Sequence, residues 1–248
     1  MKLHFSGTDN TRYMGNLYQN YNNSDINLLV AFPYKRSLMG NDPKSFKHFI
    51  ADSGAFTAMN TGKKIDSKFI DQYIEWIVEN GIQHYIEMDL DEIIGVQKTA
   101  EIRKYIEDSV GIKSIQTWHK ERGLNGWIEM CESCDYIAIS MSRKTNVSRW
   151  IYEQKFKPLE TLMHYAYKNK TKVHALGCTN FNVLKRFHFY SCDSSSFTSG
   201  SRYGTIYNWE GDHLQQYSSK NKRLDYGKIQ LQNVKAFKEA MDYAEKYL

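Results

Sequence analysis

A (β/α)8 TIM barrel built as a single domain is the fold class this sequence predicts. Three observations predict it. Short β-rich apolar runs recur along the whole chain, helix-length charged segments separate them, and 248 residues is a size at which such barrels occur as one domain. Strands alternating with helices read as repeated βα units. Right-handed crossovers between parallel strands then give either an open doubly wound sheet or a closed barrel, and eight units favour the barrel.

The runs at 26–32, 48–53, 84–90, 114–119, 136–141, 172–178 and 187–192 supply seven strands, and a weaker run at 204–209 supplies the eighth. Between them, 66–79 (DSKFIDQYIEWIVE) is the clearest helix: Phe69, Ile70, Tyr73, Ile74 and Ile77 recur at three- and four-residue spacing, and Asn80-Gly81 provides a stop. The segments 99–108, 158–168 and 232–247 behave in the same way, the last as a terminal helix wrapped on the outside of the barrel. No Pro-, Gly- or Ser-rich linker, internal repeat or low-complexity tract marks a domain boundary.

Composition sets the limits. With 41% hydrophobic and 25% charged residues the chain is neither a disordered tail nor a fibrous repeat. Eighteen tyrosines against three prolines suit base stacking and ordinary packing alike. A net charge of +5 favours approach of a polyanion but falls short of the dense basic stripe of a dedicated nucleic-acid binder. No apolar run reaches membrane-spanning length and MKLHFSGTDN lacks a hydrophobic signal core, so a soluble, cytoplasmic protein without a membrane partner is expected. Cys131, Cys134, Cys178 and Cys192 are too few and too scattered for a disulfide scaffold and read as reduced thiols.

In a barrel the C-terminal ends of the strands converge on one mouth, so polar residues repeated there outweigh any single one. The predicted strands end in Asp52-Ser53-Gly54, Asp89-Leu90-Asp91, Trp118-His119, Ser140-Met141-Ser142, Gly177-Cys178 and Asp193-Ser194-Ser195-Ser196, and three of these ends bring carboxylates. A carboxylate that attacks carbon, one that moves a proton and one that reads the N–H edge of a base need different pKa values. Mutual repulsion and partial burial can separate them. The competing reading is that an Asp after a strand caps the next helix or turn; three together weaken it.

At these residues the chain resembles the tRNA-guanine transglycosylase superfamily, and most closely its short phage and bacterial members that place 7-deazaguanines in DNA. The matching stretches are Asp52-Ser53-Gly54-Ala55-Phe56, Met88-Asp89-Leu90-Asp91-Glu92, Tyr136-Ile137-Ala138-Ile139-Ser140, His174-Ala175-Leu176-Gly177, and Cys192-Asp193-Ser194-Ser195-Ser196-Phe197 followed by Gly200-Ser201-Arg202-Tyr203-Gly204. They span most of the chain, in the family's order.

The resemblance implies roles. Asp193 would be the nucleophile that attacks C1′ and holds the sugar as a glycosyl-aspartate. Asp52 would move a proton as one base leaves and another enters, with Ser53 bonding the base or that acid. Asp91, with Asp89 as its rival, would accept from the N1–H and exocyclic amine of the ring. Backbone groups at Ser140 and Met141 would bind the base, although the family's glycine-rich segment has become Ser-Met-Ser here. Gly177 would permit close backbone approach at the mouth, unless it is a plain turn glycine. His119 and Trp118 would bond and stack on the ligand, or simply pack. Arg202 would clamp a phosphate or enter a structural ion pair.

The tRNA enzymes of this family carry zinc on three closely spaced cysteines and a distant histidine, whereas no cysteine follows Cys192. The zinc subdomain is therefore expected to be missing, and Cys131-x-x-Cys134 is a poor metal site without a second pair. No metal, redox cofactor or ATP is expected. That loss tilts the polymer toward DNA over tRNA, with the target base flipped out of the stack in either case. The segments 203–207 and 218–223 are candidates for backbone contacts. A second copy of the chain or a partner protein is the open alternative for gripping the polymer, and a phage-encoded chain would act in the host cytoplasm. Two other functions stay open: an N-glycosidase or nucleoside hydrolase in which water resolves the intermediate, and a catalytically idle barrel that binds nucleic acid or a protein.

Overall fold

The computed structural model describes residues 1–7, 11–60, 62, 64–142, 145–218 and 225–248; the side chains of Phe56, Met59, Asn60, Ser201, Arg202 and Ser218 lie outside the described set. Strands β1 (Lys2–Phe5), β2 (Asn27–Ala31), β3 (His48–Asp52), β4 (Gln116–Trp118), β5 (Tyr136–Ser140), β6 (Lys172–Leu176) and β7 (Ser191–Ser194) form one parallel sheet in the order β3-β2-β1-β7-β6-β5-β4. The helices are α1 (Thr11–Asn20), α2 (Ala55–Asn60), α3 (Ser67–Glu79), α4 (Asp91–Ile94), α5 (Val96–Val110), α6 (Gly123–Ser133), α7 (Asn146–Glu153), α8 (Lys157–Asn169), α9 (Phe181–Phe187), α10 (Ser199–Tyr203) and α11 (Tyr226–Tyr247). Two further strands, β8 (Thr205–Trp209) and β9 (Leu214–Ser218), form a separate antiparallel pair among the described residues.

The architecture is thus α/β with a curled, seven-stranded parallel sheet, and the expected arrangement of eight full strands is corrected in two places. The run at 84–90 yields no strand. Tyr85 and Ile86 instead make isolated parallel bridges to Ala51 of β3 and to Ile115 before β4. Glu87 explains the interruption: its buried carboxylate takes the Thr117 amide at 2.6 Å, where a regular ladder would offer a backbone carbonyl. The run at 204–209 is β8, an antiparallel hairpin with β9 that packs on α11 and lies outside the parallel sheet. Pairing with the run that follows closes a loop of a few residues, which costs less entropy than joining a distant edge. Asn233 of α11 holds the hairpin by accepting from the Tyr207 amide and donating to the Thr205 carbonyl.

Sequence reading missed two strands, β9 and β1, and β1 lies between β2 and β7 in the middle of the parallel sheet. Its four residues alternate: Leu3 and Phe5 join the main core under the helices, while His4 meets His48 and His174 on the concave face. The alternation holds around the sheet. Leu29, Ile50, Ile86, Ile115, Tyr136 and Ala138 form a separate small cluster, one or two residues per segment, and so the sheet curls onto its own interior.

The predicted helices are present with their signals. Asp66 caps α3 by accepting from the Phe69 amide at 3.0 Å, and Ile70, Tyr73, Trp76 and Ile77 form its buried face. The terminal helix α11 starts six residues earlier than the periodic segment, because Asp225 caps the amides of Gly227 and Lys228. Its buried stripe runs from Ile229 through Val234, Phe237 and Met241 to Ala244 and covers β1 from outside. All four cysteines are buried free thiols, with burial pushing Cys131 up to about 11 and Cys178 to about 12. Among the described residues no helix is long and apolar enough to cross a membrane.

Candidate functional site

A cavity of about 390 Å³ opens at the C-terminal ends of the parallel strands. Asp52 from β3, Asp89 from the segment after residues 85 and 86, and Asp193 from β7 all line it, together with Ser6, Ser53, His119, Ser140 and Gly177. A larger groove of about 620 Å³ lies at the opposite ends of the strands, but it offers one carboxylate, Glu245, already paired with Lys47. Chemistry therefore singles out the smaller cavity.

Asp193 is buried and cradled. Oδ1 accepts from the Gly177 amide at 2.8 Å and lies 3.3 Å from His174 Nε2, while Oδ2 accepts from the Ser6 hydroxyl at 2.7 Å. Burial alone would raise its pKa, but the His174 ring, Ser6 and Gly177 outweigh it and hold the carboxyl below its usual value. Since a carboxylate only accepts, His174 carries its proton on Nε2. Its Nδ1 shares a hydrogen bond with the Ser191 hydroxyl at 2.6 Å, and Ser191 in turn meets the Tyr136 hydroxyl. Beneath this chain, His4 donates from Nδ1 to the Cys192 carbonyl and accepts on Nε2 from His48. Burial lowers His4 to about 3 and His48 to about 2, so both rings are uncharged at neutral pH.

Asp52 has the opposite environment. Burial pushes its pKa up to about 6, the Gly54 amide at 3.2 Å opposes this, and Asp193 and Asp89 push it further up. Gly54 itself has φ +70, and a Cβ there would come within 2.3 Å of Pro33, so the turn after Asp52 requires glycine. Two carboxylates at one cavity thus have pKa values pushed in opposite directions, the pattern that separates a nucleophile from a proton donor.

The remaining predicted residues divide. Ser53 is buried beside Asp52 and accepts from the Ala55 amide at 3.4 Å, so its oxygen helps start α2. Asp89 reaches the cavity with Oδ1 bonded to His119 Nε2, whereas Asp91 is buried in a bidentate pair with Arg122 at 2.5 and 3.1 Å and does not line the cavity. Ser140 lines the cavity and donates to Thr145 Oγ1, which caps α7. Met141 is buried away from it: its amide donates to the Leu176 carbonyl, and its carbonyl accepts from Ser148. Trp118 packs against Trp127 and Trp150 and donates to the Gly123 carbonyl, a core role. Gly177 has φ +68 and a Cβ on it would lie 3.0 Å from Ser142 Cβ; its amide, aimed at Asp193, makes it more than a turn residue. The side chain of Arg202 and residues 219–223 lie outside the described residues.

Sequence reading missed Ser6, His174 and Glu87. Ser6 follows a strand too short to register, and His174 lies inside the quoted His174-Ala175-Leu176-Gly177 stretch but reads there as an interior strand residue. Glu87 is held by Arg103 and Arg122, each at 2.9 Å, and so joins Asp91 in a buried network behind Asp89. Nothing in the spacing marks that partnership, because Arg122 and Glu87 are far apart in sequence. No protein-family model matches the chain, and no curated protein sequence matches it.

Proposed function

We propose that this chain is a pentosyltransferase that exchanges guanine in a polynucleotide, DNA in preference to tRNA, for a 7-deazaguanine such as 7-cyano-7-deazaguanine. The observation that carries the reading is the pairing, in one cavity, of an ionised, cradled Asp193 with an Asp52 whose pKa is raised to about 6. A volume of about 390 Å³ lies within the range of small-ligand pockets, roughly 300–1,000 Å³.

In this mechanism an Asp193 oxygen attacks C1′ of a flipped-out nucleotide. The C1′–N9 bond breaks, its electron pair leaves with guanine, and Asp52 supplies the proton that guanine carries away. The incoming base then gives its N9 proton to the Asp52 carboxylate, N9 bonds to C1′, and Asp193 departs as a carboxylate. Protons balance over the cycle without redox cofactor or ATP. Asp89 faces the cavity and is the acceptor for the donor edge of the ring, whereas Asp91 is taken by Arg122.

The fold belongs to the same proposal: a single-domain (β/α)8 TIM barrel closed through residues 85 and 86. Support comes from the hydrogen bonds on both sides of that segment. Ala51 N–H donates to the His84 carbonyl at 2.9 Å, and Ile115 N–H to the Tyr85 carbonyl at 2.7 Å. Closure would set all the strand ends around one mouth.

Incubating the protein with DNA or tRNA and labelled guanine tests the function. Exchange of label into the polymer is expected, and Asp193→Asn abolishes it. Release of base leaving an abasic sugar as the main product would instead mark a glycosidase, and no reaction with either polymer would reject base exchange.

A further inference from the structure

The geometry points to a divalent transition-metal site at the rim of the cavity, formed by His119, Glu92 and Glu121. One ring nitrogen of His119 and one carboxylate oxygen from each glutamate lie within 4.8 Å of one another. The three residues come from different places, Glu92 from the first turn of α4, His119 from the end of β4 and Glu121 from the turn that follows it.

A gathering of carboxylates alone would mean little, since exposed acids often cluster. The histidine changes the case. His119 is only 8% exposed, its Nε2 is bonded to Asp89 Oδ1, and its Nδ1 is buried without a hydrogen-bond partner among the described residues. A buried ring nitrogen without a partner forfeits the hydrogen bond it would make in water, whichever tautomer is present. Glu92 Oε1 is the nearest charged oxygen to it at 3.9 Å, too far for a hydrogen bond. Two ligands held about 2.1 Å from a tetrahedral ion stand about 3.4 Å apart, so a small swing of an exposed glutamate completes the geometry.

The Asp89–His119 bond supplies the other half of a metal site. Ligating histidines commonly donate their second ring N–H to a carboxylate, which fixes the tautomer and leaves the opposite nitrogen free for the ion. Asp89 does this for Nε2 and so presents Nδ1 as the donor. An imidazole with two carboxylates favours zinc or manganese over magnesium or calcium, which prefer all-oxygen sets. Three protein ligands leave at least one position open, and because Glu92 and His119 both line the cavity, an anionic oxygen or water entering it can take that position. The site contains no cysteine, unlike the zinc subdomain of the tRNA enzymes, and it does not depend on base exchange being the reaction.

Calorimetric titration of the full-length chain with Zn²⁺ alone, without polymer or base, tests it. One equivalent is expected to bind at micromolar concentration or below. Glu92→Gln and Glu121→Gln, at exposed positions whose folding is checked by circular dichroism, each weaken it at least tenfold. Asp89→Asn weakens it about 10- to 100-fold by replacing the charged acceptor behind the ring with a weaker, neutral one. No saturable binding below about 1 mM, or one equivalent that survives both glutamine variants unchanged, overturns the site, as does a preference for Mg²⁺ over Zn²⁺. Because the readout is binding, its failure leaves base exchange standing, and failure of base exchange leaves the metal site standing.

Discussion

The backbone amide of Gly177, one residue beyond β6, donates to Asp193 Oδ1 at 2.8 Å, so the end of one strand orients the carboxylate at the end of its neighbour. Only a residue at ease with φ +68 can hold that amide there. Gly177→Ala forces a Cβ to 3.0 Å from Ser142 and costs about 1–2 kcal/mol of backbone strain. Thermal denaturation should show a drop of a few degrees. The proposed base exchange should fall by more than the lost stability accounts for, since displacing the amide removes a bond from Asp193.

His174 holds Asp193 from the other side. His174→Phe deletes a charge-assisted hydrogen bond, worth on the order of 10-fold or more, and removes a group that lowers the Asp193 pKa. The acid limb of the pH–rate profile should therefore move to higher pH. His174→Gln, which restores a donor, should recover part of both effects; an unmoved acid limb in His174→Phe would assign the ring to packing alone.

Asp52 makes a pH-dependent prediction with a definite sign. Its pKa is about 6 in the folded protein against the ordinary aspartate value of 3.8 in the unfolded chain, so ionising it costs stability. That penalty is absent below about pH 3.8, grows through the interval up to about 6 and is complete above it. Asp52→Asn removes the penalty and should raise the melting temperature at pH 7.5 by the equivalent of up to about 3 kcal/mol, with no gain near pH 3.5. In the wild type, single-turnover release of guanine should slow as pH rises through about 6. The Asn variant should be slower by about 10²-fold or more and flat over the same range.

The Arg103–Glu87–Arg122–Asp91 network stands where a full strand would have run. Removing one member leaves a buried partner charge uncompensated, so Glu87→Ala should cost about 3–5 kcal/mol in urea unfolding. Glu87→Gln should cost less, because its amide oxygen can still accept from the Thr117 amide. Equal losses in the two variants would mean that the hydrogen bond contributes nothing.

Local signals were legible where one segment carried the whole pattern. The stripe of α3, its Asn80-Gly81 stop and the runs that became β2, β3, β5 and β6 depend on neighbours a few residues apart, and their boundaries fall close to expectation. The failures have a shared cause. β1 is four residues whose strand character comes from lying between β2 and β7; residues 84–90 lose theirs because Glu87 bonds across to Thr117; β8 finds its partner in the adjacent run.

Of the candidate site, the sequence by itself determined which carboxylates, serines and glycines stand at the ends of apolar runs, because strand period and turn chemistry are written in consecutive residues. Only the tertiary structure decided what each does there. Asp89 reaches the cavity while Asp91, two positions along, is taken by Arg122; Met141 is turned into backbone pairing; His174 and Ser6 arrive to hold Asp193. The reason is that burial, hydrogen-bond partners and nearby charges come from strands far apart in the chain, and these set whether a carboxylate is ionised, oriented and free to act.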